Sequence, residues 1–200
     1  MPEFLRTMSL AVAALTVAWT ADTALAQSQE PADPDPANAV ALFAGRLTDQ
    51  VWEESINPWE VEFRDSEIVG LALSRRLWRS GGLSLEIEGQ VGRYFGVQEH
   101  WEFNLPLAVR WDRFPWDETV DTSFAWGIGA SYATEVPEEE VARNGTSKRL
   151  LIYWMAEIEA GPPGSAWSGI FRLHHRSDGF GAIPDGSGSN VLALGIRRRF

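Results

Sequence analysis

From Ser66 to the C-terminus the chain repeats one pattern: a run of about ten to thirteen residues in which apolar and polar side chains alternate, closed by a turn rich in Gly, Pro, Asp or Ser. A period of two belongs to strands, whose successive side chains point to opposite faces, and does not suit a helix. Leu83 to Tyr94 shows it plainly, with Leu83, Leu85, Ile87 and Val91 on one face and Ser84, Glu86, Glu88, Gln90 and Tyr94 on the other. His100 to Asp112 repeats it, setting Trp101, Phe103, Leu105, Leu107, Val109 and Trp111 against His100, Glu102, Asn104, Arg110 and Asp112. Further strands are expected over Glu67–Trp78, Ser123–Thr134, Lys148–Ala160, Trp167–Ser177 and Asn190–Phe200, and a first one over Ala39–Thr48. Eight antiparallel strands of this length match an all-β closed barrel whose strands are long enough to cross a membrane.

Alternation alone leaves the sense of the barrel open, because a soluble lipocalin-like carrier has the same period with its apolar face inside. Three features favour the membrane sense. The rings gather at strand ends, with Trp78, Trp111, Trp116, Trp126, Trp167 and Phe200 at one rim and Phe95, Trp101 and Tyr132 at the other, as interfacial girdles require. The polar face carries Glu86, Glu88, Glu102, Glu157 and Glu159 together with Arg110, Arg172, Arg176 and Arg197, a set of mixed sign that can pair off in a narrow lumen. The chain also ends on Phe200 closing a strand, which resembles the C-terminal signal read by the outer-membrane assembly machinery. Ten Trp, ten Phe and three Tyr in a chain of mean hydropathy −0.18 then have an explanation: apolar outside and charged inside average to a middling value. Eight strands enclose an interior that side chains fill, which argues against a diffusion pore.

Composition narrows the function. A net charge of −11 argues against nucleic acid as partner, since phosphate contacts need clustered positive charge. The chain has no cysteine, which excludes disulfides, thiolate metal sites and cysteine nucleophiles. Three histidines on different faces or strands, without a ligand-spaced carboxylate cluster, give little support to a metal site. Residues 1–26 read as a secretory signal, an apolar run too short to span a bilayer followed by Ala24-Leu25-Ala26. Residues 27–38 (QSQEPADPDPAN) read as a polar, Pro-rich disordered linker, leaving 39–200 as the barrel. With both termini in the periplasm, the loops near 49–65, 96–99, 137–148 and 178–189 face outward. Pro137-Glu138-Glu139-Glu140 then reads as a solvated acidic run able to bridge lipid phosphates through divalent cations, and Asn144-Gly145-Thr146 as an ordinary turn.

One strand breaks the rule that the outward face is apolar. Along Trp167–Ser177, the parity that points Trp167, Gly169, Phe171 and Leu173 outward also points His175 and Ser177 outward. Residues two apart on a strand face lie ~6.8 Å apart at Cα, near enough for an imidazole and a hydroxyl to lean together. A Ser beside a His is the minimum set for nucleophilic ester cleavage. The plainer alternative is a pair of interfacial polar residues, which cost little at a strand end. His174, between Arg172 and Arg176, reads as a structural lumen residue, and His100 as an outer-rim residue.

The stretch Leu173-His174-His175-Arg176-Ser177-Asp178-Gly179, continuing through Gly188-Ser189-Asn190-Val191 to Gly195-Ile196-Arg197-Arg198-Arg199-Phe200, resembles the lipid A 3-O-deacylases, the PagL-type outer-membrane barrels. The specific match covers the last thirty or so residues. The resemblance implies an outer-membrane esterase that needs no cofactor. It would take lipid A of the outer-leaflet lipopolysaccharide and remove its ester-linked 3-hydroxyacyl chain at position 3. His175 maps onto the family's base and Ser177 onto its nucleophile. The family's orienting Glu has no counterpart, because Ser189 or Asn190 stands at that position, so Asn190 or the loop residue Asp185 is left to hold the imidazole. Asp178 stands where the family tends to have Asn, so the backbone N–H groups of Asp178 and Gly179 are left to stabilise the oxyanion. A homodimer is a further partner state to consider, and a non-catalytic envelope barrel is the competing function.

Overall fold

The computed structural model describes residues 36–49 and 61–200; the expected signal sequence, most of the expected linker and part of the 49–65 loop lie outside them. Eight strands follow in order: β1 (Asn38–Thr48), β2 (Phe63–Ser80), β3 (Leu83–Gly96), β4 (Trp101–Trp111), β5 (Asp121–Ala133), β6 (Leu150–Gly161), β7 (Trp167–Ser177) and β8 (Gly188–Arg199). Each pairs antiparallel with its neighbours in sequence, and β1 closes the ring on β8 from Ala39↔Arg199 to Thr48↔Asn190. The eight strands read from alternation are all present, β7 with the expected bounds and the others displaced by a few residues at their ends. β2 begins earlier than its alternation suggests, because its register with β1 slips between Arg46 and Thr48, where a bulge brings Phe63 opposite Thr48.

The two faces separate as the parity requires. Outside lie Leu42, Val69, Leu71, Leu73, Phe103, Leu105, Leu107, Val109, Phe124, Trp126, Ile128 and Ile158, all exposed, forming an apolar belt around the wall. A contiguous apolar surface of that extent is unfavourable against water and suits hydrocarbon. Inside, every one of the nine Glu and Arg residues assigned to the lumen is buried. They form three storeys. Near the end carrying Asn38 and Phe200, Arg110 meets Glu86 at 3.0 Å, Glu157 at 2.9 Å and Glu159 at 3.0 Å, and Arg197 adds Glu86 at 3.1 Å. At mid-height Arg172 bridges Glu88 at 2.9 Å and Glu157, with its guanidinium 5.0 Å from the centre of the Phe43 ring. Above them His174 Nε2 lies 2.7 Å from Glu102 and its Nδ1 3.2 Å from the Tyr153 hydroxyl, and Arg176 lies 3.4 Å from the same Glu102. An apolar half of the lumen, including Phe43, Ile68, Tyr94, Ile170 and Val191, fills the remaining space.

The far end of the barrel departs from expectation. Residues 137–148 are not a solvated acidic loop: Glu138–Asn144 forms a short helix, α1, whose Glu139 and Glu140 are buried. Glu139 reaches Arg64 at 2.9 Å and Ser66 at 3.1 Å on the β2 side. Glu140 enters the barrel mouth to pair with Arg176 at 2.8 Å. Acidic residues spaced this way look solvated in sequence because the buried cations that receive them lie far along the chain. Gly145 caps the helix, so Asn144-Gly145-Thr146 is a turn. His100 is also inside the rim rather than on it, stacked on Tyr94 with ring centres 4.5 Å apart. Burial lowers its pKa to about 4; Glu102 opposes this, and Arg176 and Arg93 reinforce it.

Two predictions follow from this interior. Arg172→Met removes the nearest cation from Glu88 and one of the cations around Glu157, leaving Arg110 and Arg197 to compensate them only in part, and lowers stability by about 3–5 kcal/mol, read as the urea midpoint in detergent micelles. Unchanged unfolding would refute the pairing. His100 is held neutral in the folded chain, while in the unfolded chain it takes up a proton near its ordinary pKa of 6.5. Its contribution to stability is therefore full above about pH 6.5 and is lost as pH falls toward 4. His100→Gln flattens that part of the stability profile, checked by unfolding at pH 7 and pH 4.5.

Candidate active site

Each residue of the site is placed by the strand register. β7 presents His175 and Ser177 on its outward face, as the parity predicts, while His174 and Arg176 between and before them enter the lumen network. His175 sits opposite Asn190 on β8 and opposite Trp154 on β6. Its Nδ1 lies 2.5 Å from Oδ1 of Asn190, and its ring centre is 4.6 Å from that of Trp154 at an angle of 38°. Asn190 shares the outward parity of Leu192 and Leu194 yet is only 3% exposed, so its amide is a buried polar group on an apolar wall, satisfied in part by the imidazole. With the amide oxygen turned to Nδ1, the contact favours the tautomer that carries its proton there.

Ser177 closes β7 between Ile152 on β6 and Gly188 on β8. Two glycines make room for it. A Cβ on Gly188 would come within 2.6 Å of the Arg176 carbonyl oxygen and 3.3 Å of Ser177 Cβ, so any side chain there would push β7 and β8 apart at this rung. Gly179 has φ +66°, and a Cβ on it would meet Ile152 Cδ1 at 2.2 Å. Its N–H points back to Ser177 Oγ at 3.3 Å. That amide stands close to where an oxyanion formed at Ser177 would lie. The chain then turns over through Phe180, also left-handed at φ 59° and with its ring wholly exposed.

The remaining candidates fall elsewhere. Asp185 is in the 178–187 loop, its side chain 73% exposed and 3.8 Å from Lys148 Nζ. The Asp178 carbonyl accepts the Ile183 N–H at 2.9 Å, a loop bond that fixes the turn after Ser177. The geometry thus brings together His175 with Asn190, and Ser177 with Gly179, and it sets Asp185 against a lysine. Trp154 and Gly188 belong to the site and escape a reading of β7 alone; pairing β6 and β8 to β7 in register would have found both. Behind the site, on the lumen side, Glu140 ion-pairs with Arg176 and accepts hydrogen bonds from Ser189 Oγ at 2.8 Å and from Ser147 Oγ. Burial pushes the Glu140 carboxyl above its usual range; Arg176, Ser147 and Ser189 act against this, and Glu102 adds to it.

Comparison with known proteins bears on the fold. No protein-family model matches the chain, and no curated protein matches it. Among solved structures it is similar to the crystal structure of the outer membrane enzyme PagL, with a TM-score of 0.55 at 13% identity over 81% of this chain and 99% of that one. It is similar also to Neisserial surface protein A (NspA), with a TM-score of 0.50 at 9% identity over 86% of this chain and all of that one, 100%. The chain has the eight-stranded outer-membrane barrel fold.

Proposed function

We propose that the chain is an outer-membrane esterase that removes the ester-linked 3-hydroxyacyl chain from position 3 of lipid A, with Ser177 as nucleophile and His175 as base. The observation that carries this reading is the pair formed by the half-buried His175 and the buried Asn190 on the apolar wall, with a serine two residues along the same face. Buried polar side chains on a hydrocarbon-facing surface cost stability and are kept where chemistry uses them. Likeness of fold to the enzyme PagL supports the same reading.

The chemistry uses only these groups. Ser177 Oγ attacks the acyl carbonyl while His175 Nε2 takes its proton. The oxyanion accepts the Gly179 N–H. Collapse of the tetrahedral intermediate breaks the ester C–O bond, and His175 passes the proton to the departing sugar oxygen. Water, deprotonated by the same imidazole, then attacks the acyl-serine and releases the fatty acid. Asn190 orients the ring and holds its tautomer; as a neutral amide it stabilises the imidazolium less than a carboxylate would. Trp154 offers a flat apolar face beside His175 on which an acyl chain can lie.

A second reading, a non-catalytic envelope barrel, is favoured by one feature of the residues: an Asp follows the serine, and the strand partner that meets the imidazole Nδ1 is a neutral amide. Mass spectrometry of lipid A from cells expressing each variant separates the two. Wild type shifts lipid A by the loss of one 3-hydroxyacyl chain, Ser177→Ala abolishes the shift, and Asn190→Ala slows it by about 100-fold. Asp185→Asn leaves it unchanged, because that carboxylate faces Lys148. Identical lipid A from wild type and Ser177→Ala, with both barrels folded, removes the enzyme reading and leaves the second.

A further inference from the structure

The lumen face immediately behind the candidate site is held by one carboxylate from outside the sheet. Arg176 and Ser189 are cross-strand partners on β7 and β8. Their chain neighbours on the opposite face are His175 and Ser177 on β7, and Gly188 and Asn190 on β8. Glu140, 1% exposed, grips both members of this rung through the ion pair with Arg176 at 2.8 Å and the hydrogen bond from Ser189 at 2.8 Å. Its own helix is tied to the same strand end, since Ser187 Oγ donates to the Glu140 carbonyl at 3.2 Å and Asn144 Nδ2 to Ser187 Oγ. The Arg176 guanidinium is completed by the Lys148 carbonyl at 2.9 Å, Ser131 Oγ at 3.3 Å and Glu102.

We infer that Glu140 is a positioning residue for the His175–Ser177 site: from helix α1 it clamps the Arg176–Ser189 rung of β7 and β8 and so fixes the separation and tilt of the imidazole, hydroxyl and Asn190 amide on the reverse face. The inference rests on the esterase reading for its kinetic consequence and on the geometry alone for its structural one. A strand end is where a barrel wall is least constrained, because the ladder stops and contacts from the other connections at that rim, here the β5–β6 connection that holds α1, must supply the restraint. β7 ends at Ser177, so the nucleophile is the residue most exposed to such freedom. The two carboxylates of α1 divide the work by direction. Glu139 ties the helix to Arg64 and Ser66 on the β2 side, across the mouth from the site, whereas Glu140 touches β7 and β8.

The experiment compares Glu140→Ala, Glu140→Gln and Glu139→Gln with wild type, each refolded in detergent and checked by heat-modifiable migration. Two readouts are taken: steady-state acyl release from purified lipopolysaccharide, and the amide resonances of Gly179 and the Asn190 side chain in isotope-labelled protein. Glu140→Ala lowers kcat by about 10- to 100-fold with KM within about two-fold, as misplacement of reacting groups does. Glu140→Gln, which keeps the Ser189 contact and loses the ion pair, falls between; Glu139→Gln stays near wild type. The Gly179 and Asn190 resonances shift in Glu140→Ala and not in Glu139→Gln. Equal loss in the Glu139 and Glu140 variants, or wild-type kcat in Glu140→Ala, overturns the inference while leaving the esterase reading standing. If wild type releases no acyl chain, the esterase reading fails, and the resonances alone decide: shifts confined to the Glu140 variants sustain the clamp, and unmoved resonances overturn it. Should Glu140→Ala not fold, Glu140→Gln carries both readouts.

Discussion

The structure depends on the pairing of charge inside a lumen too narrow for bulk water. Four arginines and five glutamates reach one another there across strands that are distant in sequence, as when Arg110 on β4 meets Glu157 and Glu159 on β6, and Arg172 on β7 meets Glu88 on β3. Taking each of these ions from water costs several kcal/mol, and mutual attraction offsets the cost only with good geometry. The network therefore rewards one register over its neighbours. Sliding any strand by one residue would place its charges against hydrocarbon and its leucines in the lumen, so the charges select the closed arrangement even where they add little net stability.

That selection explains how a polar site can sit on the outer wall. β7 is held on its inward face by Arg172, His174 and Arg176, each engaged with at least one buried glutamate. The outward face of the same strand is thereby relieved of holding the sheet together, and His175 and Ser177 can occupy positions where an apolar residue would be more stable. The two sets interleave residue by residue along β7, so the stiffness of one face is transmitted to the other through the backbone between them. A site on a strand inherits more precision than one on a loop for this reason.

Much of this was legible in the chain, and the boundary is physical. Period two assigns a face to each strand residue, which is enough to send Glu86, Glu102, Arg172 and Arg197 inward and His175 and Ser177 outward. It carries no information on which strand residues meet, since that requires registers, and so Trp154 beside His175 and Gly188 beside Ser177 emerge only from the ladder. Asn190, one of two residues considered for orienting the imidazole, is the one the ladder brings to Nδ1, while Asp185 lies in the loop with its carboxylate toward Lys148. Helix α1 was beyond reach for a different reason. Seven residues hold too few turns to show a period, and three consecutive glutamates look solvated until Arg64 and Arg176 are seen to receive two of them.

The amide at position 190 sets the chemical character of the site. An ionised carboxylate on the lipid-facing wall would need a cation or several donors to offset its desolvation, and the nearby arginines, Arg172 and Arg176, are already engaged on the far side of the sheet. A neutral amide carries no such demand, so Asn190 can be 3% exposed on an apolar surface while still fixing the Nδ1 proton. Under the proposed chemistry the cost falls on the charged state: were His175 to accept the serine proton, its Nδ1 side would meet the Asn190 dipole rather than a carboxylate. Stabilisation of that state would then rest more heavily on geometry, on the Gly179 amide beside Ser177 Oγ and on how β7 holds ring and hydroxyl. A mechanism of that kind would tolerate little slack in β7 and β8, and the ion pair and hydrogen bond at Arg176 and Ser189 on the lumen side are the contacts that restrain this rung.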